Sequence, residues 1–446
     1  MTSLRIAHVT ATFPPYPGGT GNVCFHNARE LARRGHEVHI FTAAMPGALK
    51  REFVPADRRS DVLDDEGRRA NDEVQPLPPS SSILCHKPSQ SDSGMVVHRL
   101  RPSARVGNAP VLPGLARALR GFDIIHLHAP FILGAELAAL AAALNRTPLV
   151  ATYHNDLIRS GSWRDPIFGL ATRSLRHAVL YRAARVFFVS RGHAETSEQS
   201  VVYRRRPRHS QVLLNAVDTQ IFHPGTDGEA VRAKLGLPVA APLIGFVGGL
   251  DAAHHYKGLN VLLDALATPA LAQAHLLVVG DGEMKDGYRA QAGRLGIGER
   301  VLFHGAVAQD QLPPLYRACD VVTIPSLVPE ALPLTLVEAL GCGVPVVASD
   351  GPGVRSVLGD GEDGLLVRSG DLVALAEALW SLLSNHELRE LMGRRGRAKV
   401  ETYYSWSERG ARLEAIYREV LDELAHRPPR TDERRPLAEL RMEDRG

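Results

Sequence analysis

Cysteine is scarce in this chain: the 446 residues hold four, Cys24, Cys85, Cys319 and Cys342, far apart and without a CxxC pair. That spacing argues against a disulfide framework or a cysteine zinc site, and it fits a reducing, cytoplasmic setting. Long apolar runs are missing too. The most apolar stretch, residues 131 to 144, is short and interrupted by Glu136, and the opening MTSLRIAHVTATFPP has no charged leader before an apolar segment. Neither a membrane span nor a signal peptide is expected. No sign of charge dominates, since 52 Lys plus Arg oppose 49 Asp plus Glu for a formal charge of +3. The chain as a whole is therefore not expected to bind nucleic acid. The helical HExxH spacing of a zinc site and the full GxGxxG of a dinucleotide loop are absent as well, and no short-period repeat is visible.

What is present is alternation. The length suits two or three domains. Two places share one plan of short apolar strand, glycine-containing loop and amphipathic helix: LRIAHVTATFPPYPGGTGNVCFHNARELARRGHEVHIFTA and APLIGFVGGLDAAHHYKGLNVLLDALA. Further continuous apolar runs follow each, with helical patterns between most of them, which predicts α/β architecture with parallel sheets covered on both faces. We expect two doubly wound domains over residues 1–218 and 219–404, a C-terminal helix over 405–425 placed to cross back to the first domain, and a disordered tail over 426–446. The polar, Pro/Ser-rich residues 46–94 are expected to be a mobile insertion.

The stretch SLVPEALPLTLVEALGCGVPVVAS carries Glu330 and Glu338 in apolar surroundings. Pro333 suits the first turn of a helix beginning near Leu332 and ending at Gly341-Cys342-Gly343. Both carboxylates then address the space around a helix N-terminus whose free amides favour an anion. Amides for phosphate and a carboxylate for hydroxyls suit a nucleotide-sugar. The competing reading makes Glu330 a helix-dipole partner and Glu338 part of an exposed face. Lys257, in a loop ahead of a helix, can neutralise a diphosphate leaving group or be an ordinary surface lysine. Gly18 and Gly19 offer close backbone approach to a ligand. His154 follows a strand at an end where doubly wound domains place ligand groups, although a lone histidine is more often structural. His126, His128, His154 and Asp156 could also suggest a metal site, but their spacing does not support one, and no metal is expected.

Taken in order, these segments, with FDIIHLHAP, TYHNDL, LLNAVDTQIFHP and VPEALPLTLVEALGCGVPVVASDGPGVRSVLGDGEDGLLV, resemble the retaining glycosyltransferases of family 4 over most of residues 4 to 420. The resemblance implies a GT-B architecture, two facing Rossmann-like domains with a cleft between them and a nucleotide-sugar donor held mostly by the second. It implies that Glu338 binds the ribose hydroxyls and that Glu330 faces the donor sugar. Amides around Ala331, Leu332 and Leu334 would hold sugar and diphosphate, and Lys257 would stabilise the leaving group. Gly18 and Gly19 would close over the phosphates, His154 would contact the sugar, and Gly280, Asp281 and Gly282 would lie beside the base. Two departures stand out: Gly249 where the family often has arginine, and Ala216 in place of the glycine of an Asn-Gly-Val-Asp turn.

The expected reaction is front-face transfer of a sugar to a glycan, glycolipid or small-molecule hydroxyl, with no cofactor and no metal required. A double displacement through an enzyme carboxylate is the rival mechanism. A nucleotide-sugar epimerase of the same fold and a non-catalytic nucleotide binder are the alternative functions. Arg159, Arg164, Arg173, Arg176, Arg182 and Arg185, interleaved with Trp163, Phe168, Leu175 and Tyr181, suit either a solvated helix or a face resting on an anionic membrane at the inner side of the cell.

Overall fold

Strands here are built from runs of Val, Ile and Leu that are apolar at every position, as a sheet covered on both faces requires. The computed structural model describes residues 2–14, 19–44, 50–57, 93–106, 109–156, 175–238 and 240–426. Its first large sheet contains β1 (Arg5–Val9), β2 (Glu37–Ala43), β3 (Arg51–Pro55), β4 (Gly94–Leu100), β7 (Ile124–Ala129), β8 (Leu149–Tyr153), β9 (Arg185–Phe188) and β10 (Ser210–Val212). A short antiparallel ribbon of β5 (Ala104–Val106) and β6 (Ala109–Val111) stands apart from it. The order is β10-β9-β8-β7-β1-β2-β4-β3, parallel except where β3 runs against β4. The second sheet, β11 (Leu243–Val247), β12 (His275–Val279), β13 (Val301–Gly305), β14 (Val321–Ile324), β15 (Val346–Ser349) and β16 (Gly364–Val367), is wholly parallel in the order β13-β12-β11-β14-β15-β16.

Both orders reverse at their first strand. Such a switch point, between β1 and β7 in one sheet and β11 and β14 in the other, opens a crevice at the carboxyl ends of the strands. Alternate residues feed opposite cores. Ala7, Val9, Ile125 and Leu127 pack on one face of the first sheet, and Ile6, Ile124, Val150 and Phe187 on the other. In the second sheet Leu243, Val322 and Val346 face one core while Ile244, Val321 and Val347 face its counterpart.

The chain crosses between the two sheet units twice, and the crossings lie side by side. Val217 and Ser405 form a parallel bridge, with the Val217 amide donating to the Tyr404 carbonyl at 2.8 Å. After the helix His386–Tyr403, the closing helix Trp406–Ala425 returns to the first unit. There Leu413, Ile416, Tyr417 and Val420 join the core of Ile6 and Phe25. Arg409 fastens this return by donating to the Leu213 carbonyl at 2.6 Å and to Asn27 Oδ1 at 2.8 Å.

Two sequence expectations need correction here, and the turn at Ala216 is accommodated without strain. Residues 51–55, inside the span read as a mobile insertion, form edge strand β3, because β4 leaves an open edge whose backbone groups they pair in antiparallel register. The helix expected near Leu332 starts two residues later, as Leu334–Gly341, with Pro333 its extended N-cap at φ −68° and ψ 123°. Ala216 has no positive φ: among the described non-glycine residues only Leu133 and Arg146 do. The turn is therefore built without the left-handed conformation that would demand glycine. The rest of the expected insertion, apart from residues 50–57 and 93–94, and the tail beyond His426 lie outside the described residues. Among the described residues no helix is long and apolar enough to cross a membrane.

Candidate active site

The switch point of the second sheet gathers the sequence-singled acids. The loop after β11 runs Gly248, Gly249 and Leu250 into a short 3-10 helix, Ala252–Lys257, whose N-cap Asp251 accepts from the His254 amide. Gly258 ends that helix at φ +77°, and a Cβ there would lie 2.0 Å from the Pro325 carbonyl oxygen. The loops after β11 and β14 are thus pressed together, and the Leu327 amide donates to the Tyr256 carbonyl at 2.7 Å. That contact brings Lys257 Nζ to 2.6 Å from Glu330 Oε2. Ser326 Oγ donates to the other oxygen, Glu330 Oε1.

Lys257 and Glu330 are both mostly buried, with side chains 17% and 11% exposed. Burial works against the lysine's charge, but the Glu330 carboxylate outweighs it and the ammonium is held above the ordinary lysine range. A fixed cation therefore stands at the crevice, which excludes the surface-lysine reading.

Glu338 lies one turn into the helix Leu334–Gly341 and is buried, which excludes the exposed-face reading for it. Tyr316 Oη donates to its Oε2 at 2.8 Å and Gln309 Nε2 to its Oε1 at 2.9 Å. Burial, then the neighbouring Glu338 charge, pushes the Tyr316 phenol well above its usual range, so it remains a donor. Gln309 also reaches across the crevice to the ring of His26, which is stacked on Trp406 at 4.5 Å.

Between the two glutamates the chain leans on Gly353. A Cβ on Gly353 would meet the Glu330 oxygen at 2.0 Å and the Ala331 oxygen at 2.4 Å. In a trans peptide the N–H opposes the C=O, so the amides of Ala331 and Leu332 point away from Gly353. Ser190 Oγ, at the end of β9 in the first unit, donates to the Ala331 carbonyl at 2.5 Å. Leu334 opens the helix, and its side chain is 3.9 Å from a Cβ built on Gly19, the first residue of the helix Gly19–Arg33. The two units therefore meet around Ala331 to Leu334. Gly18 lies outside the described residues.

Gly280, Asp281 and Gly282 cross the loop after β11 at close quarters. A Cβ on Gly280 would lie 1.9 Å from the Gly248 oxygen, and one on Gly282 would lie 2.3 Å from the Leu250 carbonyl carbon. Asp281 pairs with Lys285 at 3.2 Å and accepts from the Gly282 amide. At Gly249 the direction a side chain would take is filled, since a Cβ would meet the His254 ring at 2.9 Å. His254 itself is held by Asp251 at 2.8 Å.

His154 follows β8 in the first unit, its amide bonded to the Ala129 carbonyl at 2.9 Å. It is not alone. His154 Nε2 lies 3.0 Å from His128 Nδ1, and His128 Nε2 lies 3.0 Å from His8 Nδ1. His126 bonds separately to Thr152 at 2.8 Å and to Tyr417 at 2.5 Å. Burial lowers the affinity of all four rings for a proton, with His8 and His154 at about 3.

His8, His126 and His128 place ring nitrogens within 4.8 Å of one another. Their planes do not suit a shared ion, because His126 and His128 are stacked at 17° and in-plane lone pairs on nearly parallel rings do not converge. Asp156 is turned elsewhere, accepting from Tyr153 Oη at 2.6 Å and from the Glu198 amide.

Comparison with known proteins decides the family. The profile described as Glycosyl transferases group 1 matches residues 227–399, and that of Glycosyltransferase Family 4 matches residues 17–221. A D-inositol 3-phosphate glycosyltransferase of Xylanimonas cellulosilytica is 30% identical over 90% of this chain and 91% of its own. This chain belongs to glycosyltransferase family 4. A phosphatidyl-myo-inositol mannosyltransferase of Mycobacterium leprae is 28% identical, covering 94% of the chain and 97% of the relative. Among solved structures, the sucrose-phosphate synthase of Thermosynechococcus elongatus superposes with a TM-score of 0.70 at 21% identity, over 94% of this chain and 99% of that one. Anabaena HepE in complex with UDP-glucose gives 0.69 at 21%, over 93% and 100%. Both likenesses establish the GT-B fold.

The family 4 glycosyltransferase thus assembles Lys257, Glu330, Glu338 and the Ala331–Leu334 segment in one crevice, faced by Gly19 and by Ser190. Sequence reasoning missed Ser326, Tyr316, Gln309, Ser190 and Gly353. Ser326 was within reach, four residues before Glu330, whereas Tyr316 and Gln309 become neighbours of Glu338 only through tertiary packing. The basic segment is corrected in part. Arg176 is buried against Glu198 at 3.1 Å and Arg185 is buried against Glu423, so neither faces a membrane. Arg159, Trp163, Arg164, Phe168 and Arg173 lie outside the described residues, while Leu175 and Tyr181 are exposed. A separate hollow of about 1080 Å³, lined by Arg191, Tyr203, Leu214, Pro352 and Arg412 among others, includes none of the crevice residues.

Proposed function

We propose that this glycosyltransferase moves a sugar from a nucleotide-sugar to an acceptor hydroxyl with retention of anomeric configuration. The observation that carries the reading is the buried Lys257–Glu330 pair beside the N-terminus of the Leu334–Gly341 helix. A fixed cation and outward-facing amides suit a diphosphate whose charge grows as the sugar leaves. Glu338, held rigid by Tyr316 and Gln309, supplies an acceptor for ribose hydroxyls, and Glu330 faces the sugar. His154 contributes a neutral ring at the facing strand end.

In this reading the acceptor oxygen forms its bond to the anomeric carbon on the face from which the diphosphate departs. The carbon–oxygen bond to the phosphate breaks with its electron pair on the phosphate, which takes the hydroxyl proton. Positioning and charge stabilisation supply the rate. Because curated relatives are named for inositol phosphate and phosphatidylinositol, inositol-containing acceptors are the first to try.

The test is calorimetric binding of UDP-, GDP-, ADP- and dTDP-sugars to the native chain and to Glu338→Ala and Lys257→Ala, followed by nucleotide release with and without an inositol acceptor. Selective binding lost in both variants, with acceptor-dependent release, supports transfer. Release of nucleotide without any acceptor, or interconversion of the donor sugar, overturns it.

A further inference from the structure

The three rings His154, His128 and His8 form a single hydrogen-bonded file running inward from the crevice, from the residue after β8 through β7 to β1. Parallel register places them there: His8 is paired with His126 across β1 and β7, and His128 with Thr152 across β7 and β8. All three rings are buried, and burial keeps each neutral at physiological pH. A neutral imidazole has one N–H and one lone pair. The file therefore has only two orientations.

If the protons point inward, His154 donates through Nε2, His128 donates through its own Nε2, and His8 is left with an N–H at Nε2. That atom is buried without a hydrogen-bond partner among the described residues. If they point outward, His8 Nδ1 donates to His128, His128 Nδ1 donates to His154 Nε2, and the unpartnered atom of His8 is a bare lone pair. In main chains an orphaned buried N–H is rarer than an under-satisfied acceptor, and on the same ground the outward orientation, which leaves His8 an acceptor and not an N–H without a partner, is favoured.

We propose that His8 and His128 are positioning residues that hold His154 as its Nδ1–H tautomer, so that it presents a hydrogen-bond donor to an oxygen of the bound sugar. The purpose at the crevice rests on the transfer reading above; the tautomer itself does not. Two residues remote from the substrate set the polarity of the one that meets it. A ring fixed as a donor in advance needs no reorganisation when charge develops on the ligand, which is the condition for electrostatic catalysis. The arrangement also assigns a role to His8, whose position in the first strand offers no other chemistry.

The experiment uses the full chain labelled with ¹⁵N-histidine and long-range ¹H–¹⁵N correlation at neutral pH, with the His154 signals identified by their loss in His154→Asn. The expected spectrum shows His154 Nδ1 protonated and Nε2 unprotonated. A protonated Nε2 overturns the proposal whatever the activity. His128→Leu removes the donor and is expected to give mixed His154 tautomers, with kcat lowered at least about tenfold and KM for the donor sugar changed little. His128→Asn, which restores a donor near the Nδ1 position, recovers part of that loss. An unaltered His154 tautomer in His128→Leu also overturns the proposal. Should that variant not fold, the native spectrum and His128→Asn still decide. A native spectrum of the expected form without any transfer activity would sink the functional reading and leave the file standing.

Discussion

Lys257 and Glu330 show why single substitutions mislead at a mostly buried ion pair. Lys257→Met leaves Glu330 charged and short of its partner, 11% exposed, and is expected to destabilise the protein by up to about 3 kcal/mol. Lys257→Met combined with Glu330→Leu replaces both charges and is expected to recover most of that stability while donor binding stays lost. Urea unfolding of the three proteins checks this, and equal destabilisation by single and double variants would refute it. A second expectation concerns the histidines. His8 and His154 titrate at about 3, His98 and His193 at about 4, all lowered chiefly by burial. Their folded values lie below the unfolded value near 6.5, so the unfolded chain binds more protons as pH falls. Stability is therefore complete above about pH 6.5 and declines toward pH 3, by up to about 1.4 kcal/mol per pH unit for each such ring. Thermal melts between pH 7.5 and 5 should show a falling Tm, shallower in His98→Phe. The same values predict no limb near pH 6.5 from His154 in a pH–kcat profile.

At the scale of elements, the segment Glu330–Leu334 is shaped by what packs behind it. Gly353 permits the Glu330 and Ala331 carbonyls to approach its backbone, while a Cβ on nearby Gly351 would meet nothing closer than Pro329 Cα at 3.9 Å. Gly353→Ala is therefore expected to displace the segment and weaken donor binding at least about tenfold, a change of about 1.4 kcal/mol. Gly351→Ala is expected to change binding little. Calorimetry with the preferred donor distinguishes them, and equal affinities for the two variants would contradict the geometry. At this scale the sequence was legible where a residue's neighbours are local. The strand–loop–helix units, Lys257 ahead of its helix and the glutamate pair around one helix start all follow from periodicity and spacing. The helix start itself came out two residues late because Pro333, which suits the first turn, took the extended N-cap position instead. Strand β3 escaped notice because its apolar pair, Phe53 and Val54, is brief and stands beside a long polar run.

For the whole molecule, the closing helix Trp406–Ala425 decides whether the first unit is complete. Leu413, Ile416, Tyr417 and Val420 are buried in its core and Arg409 is tied to Leu213 and Asn27. Each lost apolar side chain removes about 1.5–3 kcal/mol, and a domain's net stability is only about 5–15 kcal/mol. A chain ending at Tyr404 is thus expected to lose cooperative folding of the first unit, read as rapid cleavage of residues before 213 in limited proteolysis. Protection equal to that of the full chain would show that the helix is dispensable.

Two doubly wound units, the position of the crevice at strand ends and most of the acids and the cation within it were determined by the sequence alone, because each depends on apolar period, turn chemistry or short spacing. Which residues stand beside those groups was decided only by the tertiary structure. Tyr316 and Gln309 reach Glu338 from 22 and 29 residues away, and His8 joins His128 across 120. Such contacts follow from strand order and parallel register, and a chain carries no local mark of which of its strands will lie next to one another.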